Sequence, residues 1–245
     1  MLAANTYKIK FFGRRKGKKI RPGRALLLED LLPKLAITIP EGGEKISPSS
    51  LFSFTPKEVW LEVGFGGGEH LAEQAKRNPD VGIIGAEVFI NGVASLLAHL
   101  TNSHKDGADG TPVISQDRVD NVRIYNDDVR LLFEALPDAC FSRIFVLFPD
   151  PWPKKRHEER RFIGPKNLPT LARLLKKGGE LRVASDDMTY IRWSLEHLTS
   201  SPFFAWTAKD ASDWNNPPAD WVNTRYEQKA IKAGRKPIYL SFRKV

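Results

Sequence analysis

Apolar segments alternate with amphipathic segments through most of the chain, and this alternation limits the fold more strongly than any other feature of the sequence. Each apolar segment is short and continuous, and it is followed by a turn with Gly, Asp or Asn and then by a segment with helical periodicity. Buried strands that alternate with helices form a parallel sheet covered on both faces. The pattern therefore predicts an α/β fold with a doubly wound, mostly parallel, Rossmann-like sheet. The predicted strands comprise residues 59–65, 82–88, 121–126, 142–148 and 179–185.

The two ends of the chain differ from this central pattern. Residues 1–50 combine a basic arm with a short amphipathic helix, and residues 51–245 are predicted to form a single domain. Near the C-terminus, residues 203–209 and 237–244 have strand patterns on either side of a basic helix, which predicts an antiparallel pair. Residues 101–120 have no periodicity and are interpreted as a surface insertion.

The chain is strongly basic, with a net charge of +9 over 245 residues. Such a charge favours a polyanionic partner, either nucleic acid or an acidic membrane surface, and charge alone does not distinguish the two. Residues 10–24 contain eight Lys and Arg residues and no acid. Repulsion among these cations, together with glycine and proline, predicts an arm that stays flexible until it meets an anion. The alternative is a solvated tail with no binding role.

The composition disfavours several classes of protein. Cys140 is the single cysteine, so we expect neither a disulfide framework nor a cysteine-based zinc site, and the histidines have no metal-ligand spacing. No apolar run is near the length of about 18 residues that a membrane span needs, and charge interrupts the N-terminus too early for a signal peptide. We therefore predict a cytoplasmic protein that binds neither metal nor membrane. The sequence leaves its oligomeric state open.

The carboxyl end of the first predicted strand carries an acid and a glycine-rich turn. In a doubly wound sheet, ligands bind at the carboxyl ends of the strands. Gly64 and Gly66 allow a sharp turn and a close approach of the backbone to a ligand, although several classes of nucleotide- and cofactor-binding enzyme use such a turn. Glu62, on the strand itself, would repel a pyrophosphate but suits a ligand with a cationic amino acid group.

The next two strand ends extend this candidate site. Glu87 follows the glycines by about 20 residues, where a carboxylate can bind both hydroxyls of a ribose. Asn126, Asp127 and Asp128 end the third strand and are placed to meet an adenine edge. An adenosyl ligand with a positive end and no phosphates is S-adenosyl-L-methionine, which we predict as the cofactor. The alternative is that these acids are solvated loop residues.

The fourth strand runs into FPDPWPKKRHEERR, residues 148–161, where Asp150 lies between two prolines. Each proline restricts its own φ and the preceding residue, so we predict a stiff turn that holds the Asp150 carboxylate at the crevice. A turn aspartate that only accepts local hydrogen bonds is the alternative. Trp152 is predicted to pack beneath this turn, with stacking on a base as the alternative.

A dense group of cations follows the turn. Neutralisation of phosphate is the natural use of these side chains, and we expect at least two of them to contact RNA. Glu158 and Glu159 complicate this interpretation, because their spacing also allows pairing with Lys154 and Lys155 on the protein itself. The cations are Lys154, Lys155, Arg156, Arg160 and Arg161.

Five motifs of the chain resemble, in order, those of the bacterial tRNA (guanine-N7-)-methyltransferases, and the resemblance runs from the basic arm to residue 245. It implies a class I S-adenosylmethionine-dependent methyltransferase fold, with residues 51–245 as the methyltransferase domain. It also implies tRNA as the substrate, methylated at N7 of a guanine that is generally the variable-loop guanosine. The motifs are LEVGFGGGEHL, GAEVFINGV, FPDPWPKKRHEERRF, ASDD and TRYEQKAIKAG.

The resemblance also assigns roles to individual residues. Asp150 matches the residue regarded as catalytic, while the choice among Asn126, Asp127 and Asp128 for the adenine contact stays open. For the cofactor, the resemblance implies contacts with Glu62, Glu87 and Asp127. The full set of predicted cofactor-binding residues is Glu62, Gly64, Gly66, Glu87, Asn126, Asp127 and Asp150. The implied guanosine-binding residues are Lys154, Asp186, Thr224, Arg225, Tyr226 and Glu227.

Methylation at guanine N7 explains why no strong base is needed in the motifs. The N7 lone pair is already available, so the enzyme has to position it against the methyl group, and Asp150 is expected to position the guanine and to stabilise positive charge on the product. Thr224 and Glu227 also fit an ordinary capped helix. The competing functions are a methyltransferase for another RNA and a non-catalytic RNA-binding protein with a methyltransferase fold.

Overall fold

The computed structural model describes residues 11–101 and 120–245, which form a seven-stranded sheet in the order β3-β2-β1-β4-β5-β7-β6. Strands β1 to β5 pair with one another in parallel, whereas β7 is antiparallel to both β5 and β6. The mostly parallel sheet and its antiparallel C-terminal strand are therefore confirmed. The strands are β1 Glu58–Val63, β2 Val81–Ala86, β3 Val122–Tyr125, β4 Phe141–Leu147, β5 Leu175–Ser185, β6 Phe204–Trp206 and β7 Ile238–Lys244.

Helices cover both faces of this sheet. The α-helices are α1 Pro22–Asp30, α2 Leu32–Leu35, α3 Glu69–Arg77, α4 Ile90–Leu100, α5 Val129–Glu134, α6 Leu168–Leu174, α7 Met188–Thr199, α8 Ser212–Asn215 and α9 Arg225–Lys232. Short 3₁₀ helices comprise Glu41–Gly43, Pro48–Leu51 and Lys155–Arg160. None of the helices in the described residues is long and apolar enough to cross a membrane.

The two-residue period of the strands divides the interior into two hydrophobic cores. In β4, Ile144 and Val146 belong to the core that contains residues of α5, α6 and α7. The intervening Phe145 and Leu147 belong to the core that contains residues of α1, α3 and α4. Successive side chains point to opposite faces of a strand, so a continuous apolar segment such as β4 supplies both cores.

The parallel strands end within two residues of their predicted ends, and β5 begins four residues before its predicted start. Strand β1 ends at Val63 because Gly64 has a φ of +66°, which leaves the extended region and starts the turn. Residues 102–119 of the predicted insertion lie outside the described part of the chain, so its interpretation stays a prediction.

The basic arm differs from the predicted free segment. Helix α1 begins at Pro22, inside the basic run, because proline is well suited to the first position of a helix. Preceding residues of the arm are bonded to the start of α4: the amide of Ile90 donates to the carbonyl of Arg15 at 3.0 Å. The amide of Gly17 donates to Oδ1 of Asn91 at 2.8 Å. The described arm therefore lies along the edge of the sheet where the strands end.

Candidate functional site

A crevice opens at the carboxyl ends of β1, β2 and β4, where the doubly wound topology predicts a ligand site. Two adjoining cavities, of about 200 and 580 Å³, share Val63, Gly64, Glu87, Asp150 and Trp152 in their walls. The larger cavity falls within the range of roughly 300–1,000 Å³ that is typical of small-molecule sites. Asp127, which follows β3, lines the smaller cavity as well, so four of the five predicted strand ends meet in one crevice.

The glycine turn after β1 has a conformation that requires glycine. Gly64, Gly66 and Gly68 have φ values of +66°, +57° and +80°. A Cβ atom at Gly92, in the first turn of α4, would lie 2.1 Å from the carbonyl oxygen of Gly66. Close packing of α4 against the turn thus depends on Gly92, which sequence analysis did not single out although it lies within the GAEVFINGV motif.

Glu87 joins the end of β2 to the glycine turn. Its Oε2 accepts a hydrogen bond of 2.8 Å from the amide of Gly66, and its Oε1 accepts one of 2.8 Å from the amide of Phe89. Each carboxylate oxygen has a second lone pair, which is available to a ribose hydroxyl. Burial raises the pKa of the Glu87 carboxyl, and the charge of Asp150 adds to this effect, while hydrogen bonds from the amides of Phe89, Gly66 and Val88 oppose it.

Glu62 occupies a different environment from Glu87. Its Oε2 lies 2.7 Å from Nδ1 of His70 on α3, and the two side chains are 4% and 1% exposed. Neither cavity of the described residues has Glu62 in its wall. In this structure the carboxylate is engaged within the protein, and its contact with a cofactor stays a prediction.

The three polar residues after β3, Asn126, Asp127 and Asp128, have different hydrogen-bond and ion-pair partners. The side-chain amide of Asn126 donates to the carbonyl of Glu87 at 2.7 Å. Asp128 caps α5, and its Oδ1 accepts a hydrogen bond of 3.0 Å from the amide of Arg130. Asp127 lines the smaller cavity and forms an ion pair of 2.7 Å with Arg15 of the arm. Asp127 therefore presents its carboxylate to the crevice, with Arg15 as its partner in this structure.

Asp150 lies on a strained turn at the meeting point of both cavities. Phe148 and Trp152 have φ values of +49° and +43°, which are uncommon for residues other than glycine. Partial burial raises the pKa of the Asp150 carboxyl. The carboxylate is thus held at the crevice by a backbone conformation that the surrounding structure must maintain.

Trp152 is half-buried, and its ring packs against other rings of the protein. Its ring lies in the walls of both cavities and meets the ring of Phe12 edge-on, with 6.1 Å between centroids. The guanidinium of Arg160 lies 4.9 Å from the centroid of Trp152 and 4.2 Å from that of Phe12. Trp152 therefore packs within the protein, but one of its partners, Phe12, comes from the arm, which the sequence of the turn alone could not indicate.

The cations of residues 154–161 have unequal environments. Lys154, Lys155 and Arg156 are exposed, whereas Arg161 is buried. The prediction that at least two of these cations contact RNA therefore depends on the exposed members of the group. The carboxylate of Glu159 forms an ion pair of 2.6 Å with Lys166, which follows it in the chain, and not with the lysines that its spacing also allowed.

The segment TRYE begins α9 with a complete capping box. The Thr224 hydroxyl accepts a hydrogen bond of 3.0 Å from the amide of Glu227, and Oε2 of Glu227 accepts one of 3.2 Å from the amide of Thr224. Glu227 is only 2% exposed and also accepts hydrogen bonds from the indole of Trp221 and the hydroxyl of Tyr239. The capped-helix interpretation is confirmed, and the guanosine contacts of Thr224 and Glu227 stay predictions.

The two middle residues of this segment lie over the glycine turn. A Cβ atom at Gly66 would lie 2.9 Å from Cε2 of Tyr226, and one at Gly67 would lie 2.3 Å from Nη2 of Arg225. Arg225 is also paired with Glu69, in the first turn of α3. Of the residues predicted to bind guanosine, Tyr226 therefore lies in the wall of the larger cavity, and Arg225 lies against the glycine turn.

At the end of β5, Asp186 and Asp187 make different contacts. Asp187 caps α7 by accepting hydrogen bonds from the amides of Thr189 and Tyr190. Asp186 forms an ion pair of 2.5 Å with Arg235, which follows α9. Asp186 thereby ties the strand end to the segment that carries TRYE, and its contact with guanosine stays a prediction.

The crevice fits the predicted cofactor in its shape and chemistry. The turn of Gly64 and Gly66 lets a ligand approach the backbone, and Glu87 retains acceptor capacity at the place expected for ribose hydroxyls. Within residues 11–101 and 120–245, no group of three or more His, Cys, Asp or Glu residues is arranged to hold a metal ion.

Comparison with solved structures supports the fold. An antibiotic-related methyltransferase has a TM-score of 0.50 at 16% identity, and the match covers 78% of this chain and 89% of that chain. TrmN from Thermus thermophilus has a TM-score of 0.50 at 15% identity, covering 78% of this chain and 45% of that chain. At these identities the likeness shows the fold alone.

Comparison by sequence is more specific. Residues 56–240 match the model of a family described as putative methyltransferase. A tRNA (guanine-N(7)-)-methyltransferase of Rhodospirillum rubrum is 52% identical, with 96% of this chain and 88% of that protein covered. The protein of the same name from Azorhizobium caulinodans is 44% identical, with 100% and 99% covered. The chain belongs to the tRNA (guanine-N7-)-methyltransferase family.

Proposed function

We propose that this protein transfers the methyl group of S-adenosylmethionine to N7 of a guanine in tRNA, at the variable-loop guanosine. The observation that carries the proposal is the convergence of Glu87, the glycine turn and Asp150 in one crevice, beside the exposed cations that follow residue 153. The proposed cofactor site and the proposed tRNA-binding surface would thus adjoin at the Asp150 carboxylate. The relatives that share most of this chain carry the same activity in their names.

Four groups of residues would hold the cofactor. Gly64 and Gly66 allow the ligand to lie against the backbone, Glu87 takes the ribose hydroxyls, and Asp127 meets the adenine edge once Arg15 has released it. S-adenosylmethionine supplies an electrophilic methyl group when it is bound. Glu62 is assigned to the amino acid end of the ligand, which requires its carboxylate to serve His70 and the ligand together.

Methylation of guanine N7 requires the protein only to position the base and to stabilise the positive charge of the product. Guanine N7 carries an in-plane lone pair, so no proton leaves in the transfer step. Asp150 accepts hydrogen bonds from the guanine edge, orients N7 and stabilises the positive charge of the methylated purine. Its raised pKa reflects a partly desolvated carboxylate, and an ionised group interacts more strongly with a cation in such surroundings.

The tRNA backbone is assigned to the basic surface around the crevice. Lys154 and its exposed neighbours follow the Asp150 turn directly, and the basic arm runs past the same crevice. Each phosphate that such cations neutralise releases counterions, which favours binding at low salt. We assign residues 1–50 to the arm with its helix, residues 51–245 to the methyltransferase domain, and the enzyme to the cytoplasm, where tRNA is found.

The decisive experiment is transfer of labelled methyl from S-adenosylmethionine to tRNA that lacks the modification. We expect one N7-methylguanosine per tRNA, mapped to the variable loop by cleavage at the modified base. Labelling of ribosomal RNA in place of tRNA would favour the alternative RNA substrate. Saturable tRNA binding without binding of S-adenosylmethionine in calorimetry would favour the non-catalytic RNA-binding protein.

Asp150→Ala tests the role of the carboxylate. We expect turnover to fall by at least about 100-fold while tRNA affinity changes little, because the side chain acts on the reacting base and the cations bind the backbone. Turnover and tRNA affinity are measured on the same preparation. An equal loss of both would make Asp150 a docking residue.

A further inference from the structure

Arg161 is the buried member of the cation group that follows the Asp150 turn, with 6% of its surface exposed. Lys154, Lys155 and Arg156 are exposed, and Arg160 is half-buried. A buried guanidinium carries a large desolvation cost unless its donors are satisfied. The partners of Arg161 therefore indicate what the cation does in the protein.

The guanidinium of Arg161 donates to two consecutive carbonyls of the turn. Its Nε lies 3.1 Å from the carbonyl oxygen of Pro151, and its Nη2 lies 3.1 Å from that of Trp152. These are the two residues immediately after Asp150. The planar fork of an arginine can hold two neighbouring acceptors in a defined orientation, which a lysine ammonium cannot do.

The turn needs an external donor of this kind. Pro149, Pro151 and Pro153 have no amide hydrogen, so the turn has few donors with which to stabilise itself. Trp152, between two of these prolines, has a φ of +43°. A non-glycine residue in such a conformation costs on the order of 1–3 kcal/mol and persists only where the surroundings enforce it.

Arg161 is itself fixed by helix α7. Its guanidinium lies 4.7 Å from the ring centroid of Trp193. The Trp193 indole donates to the carbonyl of Ile163 at 2.6 Å, and the amide of Ile163 donates to the hydroxyl of the fully buried Tyr190 at 3.1 Å. The position of the turn is therefore tied to a rigid element of the core.

We propose that Arg161 is a positioning residue for methyl transfer, whose two hydrogen bonds to the Pro151 and Trp152 carbonyls hold the Asp150 carboxylate in place. This inference rests on the proposed function, because Asp150 acts on the acceptor base there. Arg161 does not contact phosphate, and its effect reaches the reaction through the geometry of the turn alone. A displacement of about 1 Å in a reacting group can lower a rate by about 100-fold.

The test compares Arg161→Lys with Arg173→Lys. Arg173 is a matched control, because it donates to the carbonyls of Phe133 and Leu136 away from the crevice. We expect Arg161→Lys to lower kcat by about 10- to 100-fold, while KM for tRNA and its salt dependence stay within about twofold of wild type. Arg173→Lys removes an arginine that is partly exposed and also pairs with Asp138, and it should leave kcat unchanged.

Hydrogen exchange supplies a readout that does not depend on activity. In Arg161→Lys the amides of Asp150, Trp152 and Lys154 should exchange faster than in wild type, and in Arg173→Lys they should not. Equal kcat in the two variants, or unchanged exchange in the turn, overturns the proposal. A flatter salt dependence of tRNA binding in Arg161→Lys would also overturn it, by showing that this side chain binds phosphate. Wild-type protein that methylates no tRNA would instead refute the proposed function, and the exchange result would still test the turn.

Discussion

The carboxylate of Glu62 and the imidazole of His70 lie 2.7 Å apart in the interior, between the first parallel strand and the helix that follows its glycine turn. The ring of His70 also meets the rings of Phe145 and Trp221, at centroid distances of 4.9 and 5.7 Å. The strand residue predicted to face the cofactor is thus part of the packing between β1 and α3.

His70→Ala should lower the free energy of unfolding by about 3 kcal/mol, because it leaves the Glu62 carboxylate buried without this partner. Chemical denaturation measures the loss. Arg77→Ala is the control, since it removes an exposed ion pair with Glu73 one helical turn away and should cost less than about 0.5 kcal/mol. Similar losses in the two variants would show that Glu62 does not depend on His70.

Gly92→Ala should weaken binding of S-adenosylmethionine by about tenfold or more, equivalent to about 1.4 kcal/mol. The added Cβ would lie 2.1 Å from the carbonyl oxygen of Gly66, so either the glycine turn or α4 must move. Calorimetric titration measures the affinity. Gly178→Ala serves as the control: its φ of +73° makes it costly for stability, but it lies in β5 and should leave the affinity unchanged.

The rate of methyl transfer should fall as the pH drops through the raised pKa of Asp150, because the carboxylate must be ionised to stabilise the methylated base. The midpoint should therefore lie above the ordinary aspartate value of about 3.9. At alkaline pH we expect no further change in the rate from titration of a catalytic base, because N7 loses no proton in the reaction. The measurement is kcat against pH with saturating cofactor and tRNA.

As the pH drops through the raised pKa of Asp150, the stability of the fold should not fall together with the rate of methyl transfer. The folded state binds the Asp150 proton more tightly than the unfolded state, so protonation through the raised pKa stabilises the fold at this group. Burial raises the pKa of the Glu87 carboxyl as well, so its protonation also stabilises the folded state. Tm recorded in parallel separates the two effects, and a kcat that stays constant down to the ordinary aspartate pKa would contradict the role of an ionised Asp150.

The exposed lysines of the arm should contribute to tRNA affinity in a salt-dependent way. The variant with Lys18→Gln and Lys19→Gln should bind tRNA more weakly, and its slope of log affinity against log salt should be shallower by about one for each phosphate that is no longer neutralised. Lys176→Gln with Lys177→Gln removes the same charge from an exposed part of β5 away from the crevice. If log affinity for tRNA depends equally on log salt in the two variants, the arm is a solvated tail that does not bind tRNA.

Periodicity predicted the architecture well because it reports burial directly. Each parallel strand appeared as an apolar run, and the structure places the alternate residues of those runs in two cores, as in β4. The strand-end residues Glu87, Asp127 and Asp150 were predicted to share a crevice, and all three line the smaller cavity. Parallel topology brings strand ends to one edge of the sheet, so this part of the site follows from the order of elements alone.

Other parts of the site depend on contacts between distant segments. Arg161 has the same residue type and the same local charge as Arg160, yet only Arg161 is buried and bonded to the turn carbonyls. Trp152 meets Phe12 from the arm, more than a hundred residues earlier in the chain. A local pattern contains no information on such pairings.

The sequence by itself determined the doubly wound sheet, the edge at which a ligand binds and the presence of acids at that edge, because hydrophobic period and element order depend on local residue types. The tertiary structure alone decided which of those acids remain available. In the folded protein Glu62 contacts His70, and Asp128 and Asp187 cap helices. Glu87, Asp127 and Asp150 line the crevice. The reason is that a side chain's partners are set by how helices and loops pack on the sheet, and packing is a property of the whole fold.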